Sequence, residues 1–289
     1  MKNLKVLVLV GIITLVLGGC NSAEKGQEAT EEKIEQTNEE ESTNQEDSGE
    51  VSKIEDFEYE SRGEGTIQIS GYNGTASKVV IPEEINGLIV EAIGISAFED
   101  NEVITDIQIP GTVKYIDKMA FYDCKQLVKV EFSEGLEEIG ASAFENCKSI
   151  KDFNLPESVN KLGYAMCRWA GIQTLHIPGN IDSIPEDAFS ICRGLTGTVT
   201  IPANVKTVGP HAFMHCDNVE KFVLEDGVET LEENAFGECE NLKSVTVPAS
   251  VTSIEITAFM GSLNVKLIVE AGSEAESFAG DEIPFEVIQ

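Results

Sequence analysis

Cysteine is the residue type in this chain whose spacing could support chemistry, because thiolates form disulfides and bind zinc. The chain has seven cysteines. Five of them follow an Ala-Phe pair at the same distance, and these are Cys124, Cys147, Cys192, Cys216 and Cys239. Their spacing follows a sequence repeat and not a zinc motif, so we expect a column of buried thiols, which behave as small apolar side chains. Disulfide pairing of neighbours, Cys124 with Cys147 or Cys192 with Cys216, stays open because an extracytoplasmic location permits it.

Three other residues could take part in chemistry. Cys167 lies outside the column and is the thiol that we expect to be most reactive, although such a thiol is more often inert. His211 and His215 stand four residues apart, as in some metal sites, but no further ligand recurs near them and we expect a structural or surface role. The sequence has no His-Glu-x-x-His motif, no Gly-rich phosphate loop and no Gly-x-Ser-x-Gly elbow. We therefore predict that the protein is not an enzyme and uses no metal and no cofactor.

The element that positions these cysteines is an Ala-Phe-x-x-Cys phrase, or a close variant, that occurs eight times. Its alanines are Ala97, Ala120, Ala143, Ala165, Ala188, Ala212, Ala235 and Ala258, at spacings of 23, 23, 22, 23, 24, 23 and 23 residues. Such a period is typical of a solenoid, in which each repeat buries its apolar face against its neighbours. The fourth copy is one residue short and has Met166 for Phe and Trp169 for Cys, which predicts a local distortion or an exposed aromatic residue.

A strand-like run precedes each copy of the phrase. Apolar and polar residues alternate in these runs, as around Ile107 and Ile109, which is typical of a half-buried strand. A proline such as Pro110 ends most runs, because proline cannot donate to a strand ladder. Apolar residues three apart, such as Val113 and Ile116, predict a second short extended segment. The predicted fold class is a repeat solenoid, mainly β, with coils of about 23 residues and a parallel sheet on one face.

The combination of strand-Ile-Pro, Val-x-x-Ile and Ala-Phe-x-x-Cys resembles the BspA-like leucine-rich repeat, a surface repeat of bacteria and protists. Residues 57–74 resemble the N-terminal β-hairpin cap of that family, and residues 275–288 resemble its terminal helix and closing strand. The resemblance implies a leucine-rich repeat domain over 57–289, with an N-terminal cap at 57–76, repeats at 77–270 and a C-terminal cap at 271–289. It also implies a surface protein that binds other proteins or mediates adhesion.

The first 56 residues have a different composition. Two lysines and an apolar run of about a dozen residues are typical of a signal peptide at 1–19, and Leu17-Gly18-Gly19-Cys20 resembles a bacterial lipobox. We expect lipidation of Cys20 and anchoring to the outer side of the cell membrane, the alternatives being an ordinary cleaved signal or an uncut anchor. Residues 20–56 are rich in acidic and polar residues, which predicts a disordered acidic tether, although an acidic ligand-binding tail is an alternative.

The formal net charge of −31 limits the partners of the protein. Because most affinity for nucleic acid comes from basic surface, we expect no nucleic-acid partner. The repeat pattern places one outward ladder of side chains on the predicted sheet: Gln108, Glu131, Asn154, His176, Thr200, Val223, Thr246 and Ile268. The middle of this surface is uncharged and it becomes apolar toward Val223 and Ile268, which suits an extracellular protein or glycoprotein ligand. The alternatives are a solvated strand face on a structural envelope component, or a solute-binding lipoprotein.

Overall fold

The computed structural model describes residues 51–280 and 283–288. The expected signal peptide, Cys20 and the tether up to residue 50 lie outside these residues. No helix within the described ranges is long and apolar enough to cross a membrane.

Nine strands form the broad face of a solenoid, one in each successive coil. They alternate between buried and more exposed side chains, as the sequence predicts. Their bounds are β3 Lys78–Val80, β6 Asp106–Ile109, β8 Lys129–Phe132, β10 Asp152–Asn154, β12 Thr174–His176, β14 Gly197–Ile201, β16 Val219–Leu224, β18 Ser244–Val247 and β20 Lys266–Glu270. Neighbours pair in parallel, except β12 and β14, and this confirms the predicted fold class.

A second set of strands lies on the other side of the buried core. The set comprises β4 Glu84–Ile85, β5 Leu88–Ile93, β7 Tyr115–Ile116, β9 Glu138–Ile139, β11 Lys161–Leu162, β13 Ser183–Ile184, β15 Thr207–Val208, β17 Thr230–Leu231 and β19 Ser253–Ile254. From β5 onwards they pair in parallel from coil to coil, except between β11 and β13. The paired apolar residues predicted for this segment are buried, as Val113 and Ile116 show.

The Ala-Phe phrase forms a turn that stacks on the turn of the next coil. Phe121 N donates a hydrogen bond to the carbonyl oxygen of Ala143, and Phe213 N does the same to Ala235. The phenylalanine rings lie in the core, with centroids 5.0 Å apart for Phe121 and Phe144. In most turns, the residue before Ala and the residue before the Cys position have a left-handed backbone conformation. This pair of positive φ angles marks the register of each coil.

The backbone corrects the alignment of the fourth copy by one residue. The left-handed residues of this turn are Ala165 and Trp169, and Phe144 N donates to the carbonyl oxygen of Met166. Met166 therefore occupies the Ala position, Cys167 the Phe position and Ala170 the Cys position. The predicted exposed aromatic residue is confirmed, since 43% of Trp169 is exposed. The chain is one residue shorter between this turn and β12, not within the phrase itself.

The six cysteines within the described residues are buried free thiols. In the five column positions Sγ donates to a carbonyl oxygen of the preceding coil, for example from Cys147 to Phe121 at 3.0 Å. Ser262 takes the same place in the last turn, and its Oγ donates to Phe236. The expectation that Cys167 is the most reactive thiol is wrong, because its side chain is buried in the phenylalanine column and burial raises its pKa well above the usual range.

Different elements close the two ends of the array. Strands β1 (Phe57–Gly63) and β2 (Thr66–Tyr72) form an antiparallel hairpin, and β2 pairs in parallel with β5. At the other end are α1 (Glu274–Ala279) and β21 (Phe285–Ile288), which pairs in parallel with β20. These elements lie where the resemblance places the caps.

The last residues of the predicted tether are ordered against the first coil, contrary to expectation. Val51 forms a parallel bridge with Lys78, and Ser52 Oγ accepts a hydrogen bond from Val80 N at 3.0 Å. A 3-10 turn follows at Ile54–Asp56. Backbone pairing with an otherwise open strand edge overrides the polar composition of this segment, so the folded part begins before residue 57.

Both sheets are interrupted near the fourth and fifth coils, and we call this place the seam. On the broad face β12 ends one sheet and β14 begins the next, while on the other face β11 ends one sheet and β13 begins the next. In neighbouring coils, the backbone N–H of the residue after the short strand of the second set donates a hydrogen bond to a carbonyl oxygen of the preceding coil, as Gly209 N does to Ile184 O. Pro185 has this position in the fifth coil and has no N–H to donate. Before β14, the extra residue of the fifth repeat falls at Gly197, which has a φ of 72°.

Candidate binding face

The predicted ladder lies on the broad face of the solenoid, in the register that the sequence indicates, but it is divided. In the first part Gln108 pairs with Glu131 and Asn154 with His176. In the second part Thr200, Val223, Thr246 and Ile268 are consecutive partners on β14, β16, β18 and β20. The seam separates His176 from Thr200. The predicted face therefore has two parts, and its role in binding stays a prediction.

The first part of the ladder carries charged and polar groups that bind one another. Lys129 forms an ion pair with Glu131, which lowers the pKa of that carboxyl. His176 Nε2 lies 2.8 Å from Glu157 Oε1, and this hydrogen bond, with that from Gly179 N, lowers the pKa of Glu157. Most of the hydrogen-bonding groups in this part already have partners within the protein.

The second part is uncharged along the ladder itself. Thr200 is exposed, and Val223, Thr246 and Ile268 are partly exposed. β21 extends this row by one position that the sequence analysis did not include, since Glu286 is the register partner of Ile268 and pairs with Lys266 at 2.6 Å. The threonine hydroxyls and aliphatic side chains form a regular surface. A protein ligand can cover this row without burying an unpaired charge.

Two groups of residues away from the ladder were not predicted. Oxygens of Glu186 and Asp187 and a ring nitrogen of His211 lie within 4.8 Å of one another. Asp187 also binds Arg168, at 3.5 Å, so this carboxylate already has a cationic partner. A groove of about 490 Å³ lies beside Trp169 at the seam. The only hint of the groove in the sequence was the shortened fourth repeat. Its residues can be aligned with the other repeats by residue type, but this alignment does not show their backbone conformation.

The sequence model of one family, described as the BspA type leucine rich repeat region, matches the chain in six copies over residues 71–196 and 164–276. The chain belongs to the BspA-type leucine-rich repeat family. The matched region contains every strand that carries the ladder except the short stretch of β21. The family is that of a repeat scaffold, in which the recognition surface is set by side chains that the repeat leaves free.

Solved leucine-rich repeat proteins of bacteria have a similar fold. The T. pallidum leucine-rich repeat protein is 24% identical, with a TM-score of 0.57, over 83% of this chain and 98% of that one. A leucine-rich repeat protein from Bacteroides ovatus is 20% identical, with a TM-score of 0.51, over 81% of this chain and 75% of that one. No curated protein matches the chain.

Proposed function

We propose that the protein is a membrane-anchored bacterial surface lipoprotein that binds an extracellular protein or glycoprotein. The observation that carries the proposal is the uncharged second part of the ladder, Thr200, Val223, Thr246 and Ile268, held in register on four hydrogen-bonded strands. Because the backbone of these strands is fixed by its neighbours, little conformational entropy is lost when a partner covers the face. An extended face of this kind is how repeat proteins usually recognise partners.

The anchor rests on the sequence alone. The lipobox-like Leu17-Gly18-Gly19-Cys20 follows a short apolar run, and the long acidic segment after it would carry the repeat domain away from the lipid surface. The proposed orientation is extracytoplasmic, with the repeats facing the surroundings of the cell.

A capture experiment with a matched control tests the binding face. The full-length protein is compared with T200K/T246K, which adds two cations to the ladder, and with T207K/T230K, which adds the same charges to β15 and β17 on the opposite sheet. Candidate extracellular proteins are captured and the affinity of each captured protein is then measured. We expect the ladder variant to weaken binding by at least about tenfold, because burying an unpaired cation is costly.

The control should bind within about twofold of the wild type, since its lysines lie on the other side of the core. Equal binding by all three proteins would contradict the assignment of the face. If the wild type captures no protein, the chain is better explained as a structural envelope component. A solute-binding lipoprotein is less well supported, because such receptors close two lobes around a cleft, whereas the described repeats form one continuous core.

A further inference from the structure

The groove at the seam has a composition that contrasts with the rest of the protein. It is lined by Asn146, Lys148, Trp169, Ile191 and Arg193, with backbone and small residues at 170, 171 and 194. None of the lining residues is acidic, although the chain has 51 acidic and 20 basic residues. The groove is therefore a local cationic site on a strongly acidic molecule.

The cations flank a gap that the repeat itself explains. Lys148 and Arg193 each follow the Cys position of their turn, and the corresponding residue of the coil between them is Gly171. A Cβ at this glycine would lie 2.0 Å from the carbonyl oxygen of Lys148, so the coils pack too closely here for any side chain. The space between the two cations consequently stays open.

Both cations are available to a ligand. Lys148 is exposed and has no ion-pair partner within the part of the chain that the structure describes. Arg193 pairs through Nε with Asp217 at 2.9 Å, yet 63% of its side chain is exposed. A carboxylate between Lys148 and Arg193 would gain charge-assisted hydrogen bonds from both.

Trp169 forms an aromatic wall that is fixed before any ligand arrives. The guanidinium carbon of Arg168 lies 4.8 Å from the centre of the indole ring. Arg168 is itself held by Glu145, at 3.1 Å from Nε, and by Asp187. The indole N–H makes no hydrogen bond within the described residues and remains a free donor. This arrangement reduces the entropy cost of ordering the ring on binding.

We infer that this groove binds a carboxylated sugar residue of a glycan, with the carboxylate between Lys148 and Arg193 and the sugar ring against Trp169. A sugar ring has an apolar C–H face that packs on an aromatic surface and hydroxyls that accept from an indole N–H. An acidic peptide fits less well, because its additional carboxylates would meet the surrounding acidic surface, where like charges repel. The site is separate from the ladder and does not depend on it.

Tryptophan fluorescence measures binding at this groove directly, because Trp169 is the only tryptophan of the chain. The full-length protein is titrated with galacturonic acid and with sialyl-lactose, which carry one carboxylate each, and with the carboxyl-reduced form of each. We expect at least one acidic sugar to change the fluorescence emission until the signal saturates. Its affinity should be at least about tenfold higher than that of its reduced form, and should fall at high salt.

Two variants of the groove and one control complete the test, with affinities measured by calorimetry so that loss of the fluorophore does not matter. We expect K148E/R193E and W169A to weaken binding by at least about tenfold, and K161E, which changes an exposed lysine on β11, to change it by less than about twofold. Thermal melting confirms that the variants are folded.

Three results would overturn the inference: no binding of either acidic sugar, equal binding of the reduced forms, or unchanged affinity of both groove variants. A short oligoglutamate that binds as tightly, and loses affinity in the same variants, would show that the groove takes acidic peptides instead. The T200K/T246K ladder variant should still bind the sugar, so failure here and failure of the proposed protein-binding face are distinguishable.

Discussion

At the scale of single residues, the cysteine column stabilises the packing between coils. Each column thiol is buried and donates to a carbonyl oxygen of the preceding coil, and Ser262 makes the same bond in the last turn, where cysteine is absent. Burial raises the pKa of Cys192 and of Cys239 to about 12. These thiols are chemically inert while the protein is folded, because only the thiolate reacts.

Thiol labelling provides a direct check. In a Cys20→Ser background, we expect a disulfide reagent at pH 8 to label none of the six buried cysteines of the folded protein and all six in denaturant. For a thiol with a pKa of about 12, only about one molecule in 10,000 is ionised at this pH. Rapid labelling of one cysteine in the native protein would contradict this account.

The phenylalanine column should dominate the stability of each coil. Phe121 is fully buried, with ring centroids 5.0 Å from both Phe98 and Phe144. We expect Phe121→Ala to lower the free energy of unfolding by about 3–5 kcal/mol, because it removes a large apolar side chain and leaves a cavity. Ile256→Ala is the control, since 85% of Ile256 is exposed. Denaturant titration measures both, and a loss below about 1 kcal/mol for Phe121→Ala would show that the column can collapse around the gap.

At the scale of elements, the close approach of the third and fourth coils, beside the seam, depends on glycine. Gly171 N donates to the carbonyl oxygen of Cys147, and a Cβ at Gly171 would clash with the backbone of Lys148. We expect Gly171→Ala to destabilise the protein by about 1–3 kcal/mol through overpacking. Gly179→Ala is a matched control, because nothing lies within 4 Å of its added Cβ. That change should be neutral or stabilising by up to about 1 kcal/mol. Similar effects of both substitutions in thermal unfolding would contradict the proposed packing.

The elements also show how far the sequence alone leads. The period, the alternating strand residues and the positions of the prolines were sufficient to predict the solenoid, because the same features recur in successive repeats. The fourth copy was misaligned since Ala165 has the expected letter, whereas its backbone conformation places it one position earlier. The break in the ladder was missed because Pro185 and Gly197 affect pairing between coils, and the periodic apolar pattern does not record such pairing.

At the scale of the whole molecule, the acidic charge and the proposed anchor act together. A net charge of −31 keeps such proteins soluble and apart, and a lipid anchor would hold this one at a surface despite that charge. The groove with Lys148 and Arg193 and the uncharged second part of the ladder both depart from the general acidity, and each is the place of a proposed ligand.

Substitution of Cys20 tests the anchor. We expect Cys20→Ser to move the protein from the membrane fraction to the soluble fraction, or to leave its signal peptide uncleaved, because a serine cannot form the thioether of a lipidated residue. Detergent phase partition and mass spectrometry of the N-terminus measure this. The control is Cys124→Ser, which changes a buried thiol of the repeats. Membrane association and mass that are the same in both variants would exclude lipidation at Cys20.

The seam has a mechanical consequence. Between the fourth and fifth turns the coils are joined by turn hydrogen bonds such as those of Cys167 N to Ala188 and Trp169 N to Ser190. Elsewhere, bending the array would strain strand ladders on both faces, whereas at the seam each ladder is already open. Within the described repeats, the seam is therefore a place where the curvature of the array can change at low elastic cost. A partner that contacts both parts of the ladder would set the angle between them. The affinity would then depend on how rigid the surface of that partner is.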